Sequence, residues 1–128
     1  LLTCIFSDIG GYTFGKLIGG KKLTSISPNK TYSGSIGSFI FSYIPIIILS
    51  NINFFDFFLI IDIKNIILVL LISLVAQTGD IFISYFKRLN KLKNTGNLLP
   101  GHGGLLDRID GIIFVIPLIF IMKLINII

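Results

Sequence analysis

The chain has 128 residues, of which 53% are hydrophobic and only 13% charged, with a formal net charge of +5. Soluble domains average nearer a quarter charged, and the mean hydropathy of +0.92 also argues against a soluble globular protein. The single cysteine, Cys4, excludes an internal disulfide and a CxxC metal site.

In chain order, Leu1 to Phe6 is apolar, with no basic region before it, and reads as the end of an earlier helix rather than a signal peptide. A polar segment follows over residues 7 to 34. Residues 35 to 50 carry no charge and, slightly extended, reach the ~20 residues needed to span a bilayer. Pro45 is tolerable in such a span. Residues 65 to 79 start a second span that continues to Phe86, and residues 111 to 128 form a third, broken only by Lys123. Abundant isoleucine would suggest strands in water. In lipid an open sheet leaves its backbone unsatisfied, so runs this long read as helices. The expected fold is all-α: a polytopic transmembrane helical fragment, with about three full spans plus the end of an earlier one. Residues 1–128 form a single membrane-embedded region.

Charge is segregated. Lys16, Lys21, Lys22 and Lys30 lie in the segment 7–34, and Lys87, Arg88, Lys91, Lys93 and Arg108 in the segment 87–110. Two spans separate these segments, so both emerge on one face, which the positive-inside rule makes cytoplasmic. The turn at Asn51 to Asp56 has no basic residue.

The second polar segment concentrates chemistry. Asp80 follows a long apolar run, and a carboxylate there is costly, ~2.5–3.5 kcal/mol at mid-membrane, and hence a functional candidate. The structural alternative is an interfacial residue meeting Lys87 or Arg88. Asp107 and Asp110 are three apart and share one helix face; capping of the last helix is their structural alternative. Pro100-Gly101-His102-Gly103-Gly104 precedes a helix start, where glycines let backbone N–H groups approach phosphate. An anion cradle beside a cation site is what phosphoryl or nucleotidyl transfer needs. The first segment repeats the theme with Ser7-Asp8-Ile9-Gly10-Gly11-Tyr12, Phe14-Gly15-Lys16 and Ser27-Pro28-Asn29-Lys30-Thr31. Gly15-Lys16 is not a Walker A motif. The Ser27–Thr31 stretch reads equally as a helix N-cap.

The run Ser84-Tyr85-Phe86-Lys87-Arg88, then Lys93, Gly96, Leu99-Pro100-Gly101-His102-Gly103-Gly104 and Asp107-Arg108-Ile109-Asp110 resembles the hallmark motif of the phosphatidate cytidylyltransferases, or CDP-diacylglycerol synthases. Gln77-Thr78-Gly79-Asp80, Asp8-Ile9-Gly10 and Ser27-Pro28-Asn29-Lys30-Thr31 extend the likeness over nearly the whole chain, as the family's C-terminal half. The resemblance implies an integral membrane enzyme of the bacterial inner membrane, with its active site on the cytoplasmic face. It would join CTP and phosphatidate into CDP-diacylglycerol and pyrophosphate. It implies Mg²⁺, with a monovalent cation such as K⁺ alongside, and Asp80, Asp107 and Asp110 as metal ligands. Lys87, Arg88 and His102 become catalytic phosphate contacts beside Asp80 and Asp107. Ser27, Lys30, Thr31, Lys93, Gly103, Gly104 and Arg108 become substrate-binding residues. Membrane lipid is an expected partner, nucleic acid is not, and a homodimer is the oligomeric expectation. Asn94, Ile83 and Ser33 stand where the family usually has acids. They motivate an alternative, a non-catalytic or truncated relative that binds CTP or acidic lipid without turnover. A transport element ranks below both, because the charges gather at one face.

This topology makes a direct prediction. Cysteines introduced as Lys22→Cys and Lys91→Cys should react with an impermeant thiol reagent from the same side of the membrane, and Asn53→Cys from the other. Labelling of positions 22 and 91 from opposite sides would rule out a common face.

Overall fold

The computed structural model describes residues 1–51, 62–92 and 106–125, and only the backbone at 51 and 106–108. Among the described residues five helices follow one another: α1 Leu2–Leu17, α2 Tyr32–Phe41, α3 Ile44–Asn51, α4 Ile63–Leu89 and α5 Leu106–Leu124. An isolated antiparallel bridge pairs Lys22 with Thr31, and no strand forms among the described residues. The chain divides into two compact units, Leu1–Leu74 and Val75–Ile128, with α4 running through the division.

Among the described residues two stretches are long and apolar enough to cross a membrane, Tyr32–Ser50 and Ile63–Leu89. Only 28% and 22% of their apolar windows are buried, far less than in the core helix of a soluble protein. Ile36, Ile40, Ile67 and Leu74 are among the large apolar side chains left exposed. Such surface is stable against lipid and unstable against water. The protein is an all-helical membrane protein. The expected third span is helical as far as Leu124, but its helix starts earlier, at Leu106, so Asp107, Arg108 and Asp110 belong to its first turns. Residues 126–128 lie outside the described part.

The first span is not one rod. Pro45 lacks the N–H that a continuous helix would donate to Phe41. The helix breaks at Ser42-Tyr43, and the freed groups find local partners: Ser42 Oγ donates to the Phe39 carbonyl at 2.6 Å, and Ile47 N to the Tyr43 carbonyl at 3.2 Å. The Tyr43 hydroxyl donates to the Ile66 carbonyl on α4 at 2.9 Å.

The segment 7–34, read as polar, is helical as far as Leu17. Gly10, Gly11 and Gly15 therefore line no phosphate loop. They form a contact surface with Gly34, Gly37 and Ser38 of α2. A Cβ on Gly10 would strike the Gly37 carbonyl oxygen, and one on Gly37 would fall 2.5 Å from Phe14 Cβ and 2.7 Å from the Gly10 carbonyl oxygen. Helix association in lipid has no hydrophobic drive and relies on close contact, which small residues four apart permit. Ser7, Gly11 and Gly15 on α1 and Gly34, Ser38 and Ser42 on α2 have that spacing. The helices run antiparallel, with Gly10 beside Gly37 and Gly15 beside Thr31. Phe14 and Phe41 meet edge to face at 5.7 Å. α1 ends where Gly19 takes φ +64, the left-handed conformation that closes helices. Ser7 Oγ pairs with Ser73 Oγ of α4 at 2.8 Å, both fully buried, beside the buried Cys4, Val69 and Ile72.

Gly37→Val should therefore destabilise the first unit by about 2 kcal/mol or more, because one obstacle is backbone that a side-chain rotation does not clear. Thermal unfolding in detergent measures this. A midpoint equal to that of the unaltered protein would contradict the α1–α2 contact.

Candidate functional site

The second unit brings two of the expected acids together. Asp80 lies on α4, seven residues before Lys87, so both project from one face about 10 Å apart along the axis. If Lys87 and Arg88 mark the membrane surface, Asp80 lies well inside it, where a lone carboxylate is expensive. It is not alone, because it shares a hydrogen bond with Asp110 of α5.

Glycines make this approach possible. On α4, Gly79 precedes Asp80, and a Cβ there would fall 2.6 Å from the Phe114 ring. On α5, Gly111 follows Asp110, and its Cβ would lie 3.0 Å from the Ala76 carbonyl oxygen. Each acid thus neighbours the residue that lets the two helices come close. Phe82 and Phe114 pack edge to face at 5.6 Å beside them.

Asp110 is 9% exposed. Its Oδ1 accepts the Gly111 N–H at 2.9 Å, and its Oδ2 lies 3.7 Å from Lys87 Nζ. Two acids are held against each other in a half-buried site, with the Lys87 ammonium at ion-pair distance from one of them. Anionic oxygens so placed match the ligands hard divalent cations take.

The other expected residues are placed as follows. Arg88 is exposed in the last turn of α4. Asp107 and Arg108 lie in the first turn of α5, but their side chains are outside the described part, as are Lys93, Asn94, His102, Gly103 and Gly104 entirely. Among the described residues no cluster of three potential metal ligands forms; of the expected triad, Asp80 and Asp110 have described side chains and Asp107 does not. In the first unit, Ser27, Lys30 and Thr31 lie in a tight turn: Lys30 N donates to the Ser27 carbonyl at 3.1 Å, and Ser27 N to Thr24 Oγ1 at 3.2 Å. Thr31 is the N-cap of α2, its Oγ1 accepting the Gly34 N–H at 3.1 Å. The capping reading of this stretch holds for Thr31. Ser33, one of the departures from the family's acids, pairs with Thr31 Oγ1 at 3.0 Å and donates to the Gly19 carbonyl. It ties the 19–33 connection to the start of α2. The roles of Gly79 and Gly111 went unread in the sequence, although each sits next to a singled-out aspartate.

The sequence profile of the cytidylyltransferase family matches residues 1–125. The phosphatidate cytidylyltransferase of Staphylococcus haemolyticus (strain JCSC1435) is 47% identical over 91% of this chain and 44% of its own length. That of Rickettsia bellii (strain RML369-C) is 40% identical over 93% of this chain and 52% of its own, and that of Staphylococcus aureus (strain COL) 44% identical over 91% and 44%. The chain thus spans about half the length of the curated relatives it matches. With the profile matched along almost its entire length, the chain belongs to the cytidylyltransferase family.

Proposed function

We propose that the protein transfers a cytidylyl group from CTP to phosphatidate, giving CDP-diacylglycerol and pyrophosphate at the cytoplasmic face of a bacterial inner membrane. Family membership and the relatives named phosphatidate cytidylyltransferase support this reading. The observation that carries it is the half-buried Asp80–Asp110 pair with Lys87 beside it on an apolar helix.

In the proposed reaction an oxygen of the phosphatidate phosphate attacks the α-phosphorus of CTP. The bond from that phosphorus to the bridging oxygen breaks, and pyrophosphate departs with the electron pair. A phosphate monoester dianion is already nucleophilic, so no side chain needs to act as general base. The difficulty is bringing anions together in line, which makes positioning and charge neutralisation the protein's task. Asp80 and Asp110, joined by Asp107 three residues earlier in α5, would hold Mg²⁺, which when bound supplies positive charge to the phosphate oxygens. Asp110 accepts the Gly111 N–H, which fixes its carboxylate plane. Lys87, Arg88, Lys93, His102 and Arg108 would meet phosphate oxygens. The Gly103-Gly104 backbone would approach them closely, as its lack of side chains permits. Ser27 and Lys30 would contact nucleotide or lipid phosphate from their turn, and Thr31 would serve through the cap it makes.

Two experiments test the proposal. In the protein at its full natural length, CTP with Mg²⁺ should protect against heat or proteolysis far more than ATP. Equal protection by all nucleotides would point to a generic polyphosphate cradle, and none would favour the non-catalytic alternative. Asp80→Asn and Asp107→Asn should each lower the turnover rate at least ~100-fold, the scale of lost transition-state charge stabilisation, whereas Asn94→Asp should leave it equal or higher. Near-normal turnover with unchanged Mg²⁺ dependence in Asp80→Asn would move the cation to Asp107 and Asp110.

A further inference from the structure

We propose that the connection between α1 and α2 is a headgroup-binding element: Lys16, Lys21 and Lys22 hold anionic phospholipid of the surrounding bilayer while Leu17 and Ile18 enter the layer beneath. The lipid is bulk membrane phospholipid rather than a substrate, so the inference goes beyond the acid pair and its reaction.

Three observations carry it. First, the charge is one-sided. The chain has no acid between Asp8 and Asp56, and Lys16, Lys21 and Lys22 are all exposed. Lys16 lies over the Tyr12 ring, 5.6 Å from its centroid, a contact that leaves its positive charge in place. Second, large apolar side chains stand among these lysines. Leu17 is 83% exposed and Ile18 66%, and Tyr12 and Tyr32 are exposed as well. A soluble anion would satisfy the ammonium groups but not Leu17 and Ile18. The bilayer interface satisfies both: tyrosines rest at headgroup level, lysine stems lie along the chains with their heads in water, and apolar side chains go below. Tyr32 opens the membrane-crossing stretch Tyr32–Ser50, so the connection meets the bilayer at that level. Third, the connection satisfies its own backbone. Gly19 at φ +64 and Gly20 at φ +109 turn the chain out of α1. Leu23 N donates to the Lys30 carbonyl at 2.8 Å and Tyr32 N to the Lys21 carbonyl at 3.2 Å, on either side of the Lys22–Thr31 bridge. Ser33 Oγ donates to the Gly19 carbonyl. Backbone bonded in this way can enter a layer poor in water.

The same bonds fix the backbone that carries Lys21 and Lys22. An anionic headgroup therefore meets two charges whose positions are already set, and little ordering is required of the protein on binding. The Ser27–Lys30 turn belongs to the same bridged unit. Lipid held by the lysines would steady that turn at the membrane surface.

The test uses the full-length protein in nanodiscs of phosphatidylcholine with a minority of phosphatidylglycerol, an anionic lipid without a phosphate monoester. Ile18→Cys carries bimane, apolar like the side chain it replaces, while Cys4 is buried and takes no label. Bromine on the chains of one lipid or the other quenches the probe. Brominated phosphatidylglycerol should quench as though enriched about fivefold or more over its mole fraction, the factor for one ammonium at an anionic surface. High salt should reduce this enrichment. Lys21→Gln combined with Lys22→Gln should remove most of it. Lys21→Arg combined with Lys22→Arg should keep it, which also shows that the connection accepts substitution. Quenching in proportion to mole fraction, or none from either lipid, overturns the inference, as does enrichment that survives loss of both ammonium groups. Two further arms separate other ligands. Enrichment of brominated phosphatidate without that of phosphatidylglycerol would make the surface a substrate port. Loss of the phosphatidylglycerol enrichment on adding CTP with Mg²⁺ would assign the lysines to nucleotide. Either result overturns the headgroup role.

Discussion

The placing of Asp80 against Asp110 is the constraint on which the second unit turns. Burying one carboxylate near hydrocarbon is costly, and burying two beside each other is worse unless a proton or a cation intervenes. Helices ordinarily avoid it by keeping their axes 8–10 Å apart and their acids at the surface. Here Gly79 and Gly111 remove the side chains that would hold the helices off, and Phe114 and Ala76 fill the space instead. The close approach and the strained electrostatics come from the same pair of sequence neighbours, Gly79-Asp80 and Asp110-Gly111.

The same device recurs in the first unit without charge. Gly10, Gly11 and Gly15 let α1 lie directly on Gly34, Gly37 and Ser38 of α2. Polar atoms that remain in this apolar setting are satisfied within the protein: Ser7 by Ser73, Thr13 by the Ile9 carbonyl, Tyr43 by the Ile66 carbonyl. Such bonding is required where no water is present to substitute. Thr31 and Ser33 close the connection after α1 onto the start of α2, giving the Ser27–Lys30 turn a defined position on its own unit. Ser33 shows that a residue departing from a family's usual acid can still carry a structural bond.

Much of this was legible in the residues. The uncharged runs, their length and their composition require helices in lipid, and the structure forms α2 and α3 over the first run and α4 over the second, each reaching a few residues beyond it. The motif from Ser84 to Asp110 is specific enough to point to the family, since its charges and glycines serve no packing need of an apolar bundle. Asp80 stood out because charge in a membrane helix is costly. The glycines of residues 10 to 15 misled for a physical reason. A glycine is equally suited to a loop and to a close helix contact, and which it serves depends on a partner surface some twenty residues away. The break at Pro45 was half legible. Proline removes a donor wherever it stands, but whether a span bends or separates into two helices depends on which carbonyls find substitutes.

By itself the sequence determined the helical membrane class and the segregation of charge, which follow from composition and from spacing along the chain, and the family, through the resemblance of its motif. Only the tertiary structure decided that Asp80 meets Asp110, that Lys87 stands beside Asp110 at a loose distance, and that Thr31 is a cap. These outcomes depend on how closely α4 and α5 approach and on how the 19–33 connection closes. Such distances are set by side chains that are absent, at Gly79, Gly111, Gly10 and Gly37, and an absence acquires its meaning only when another helix fills it.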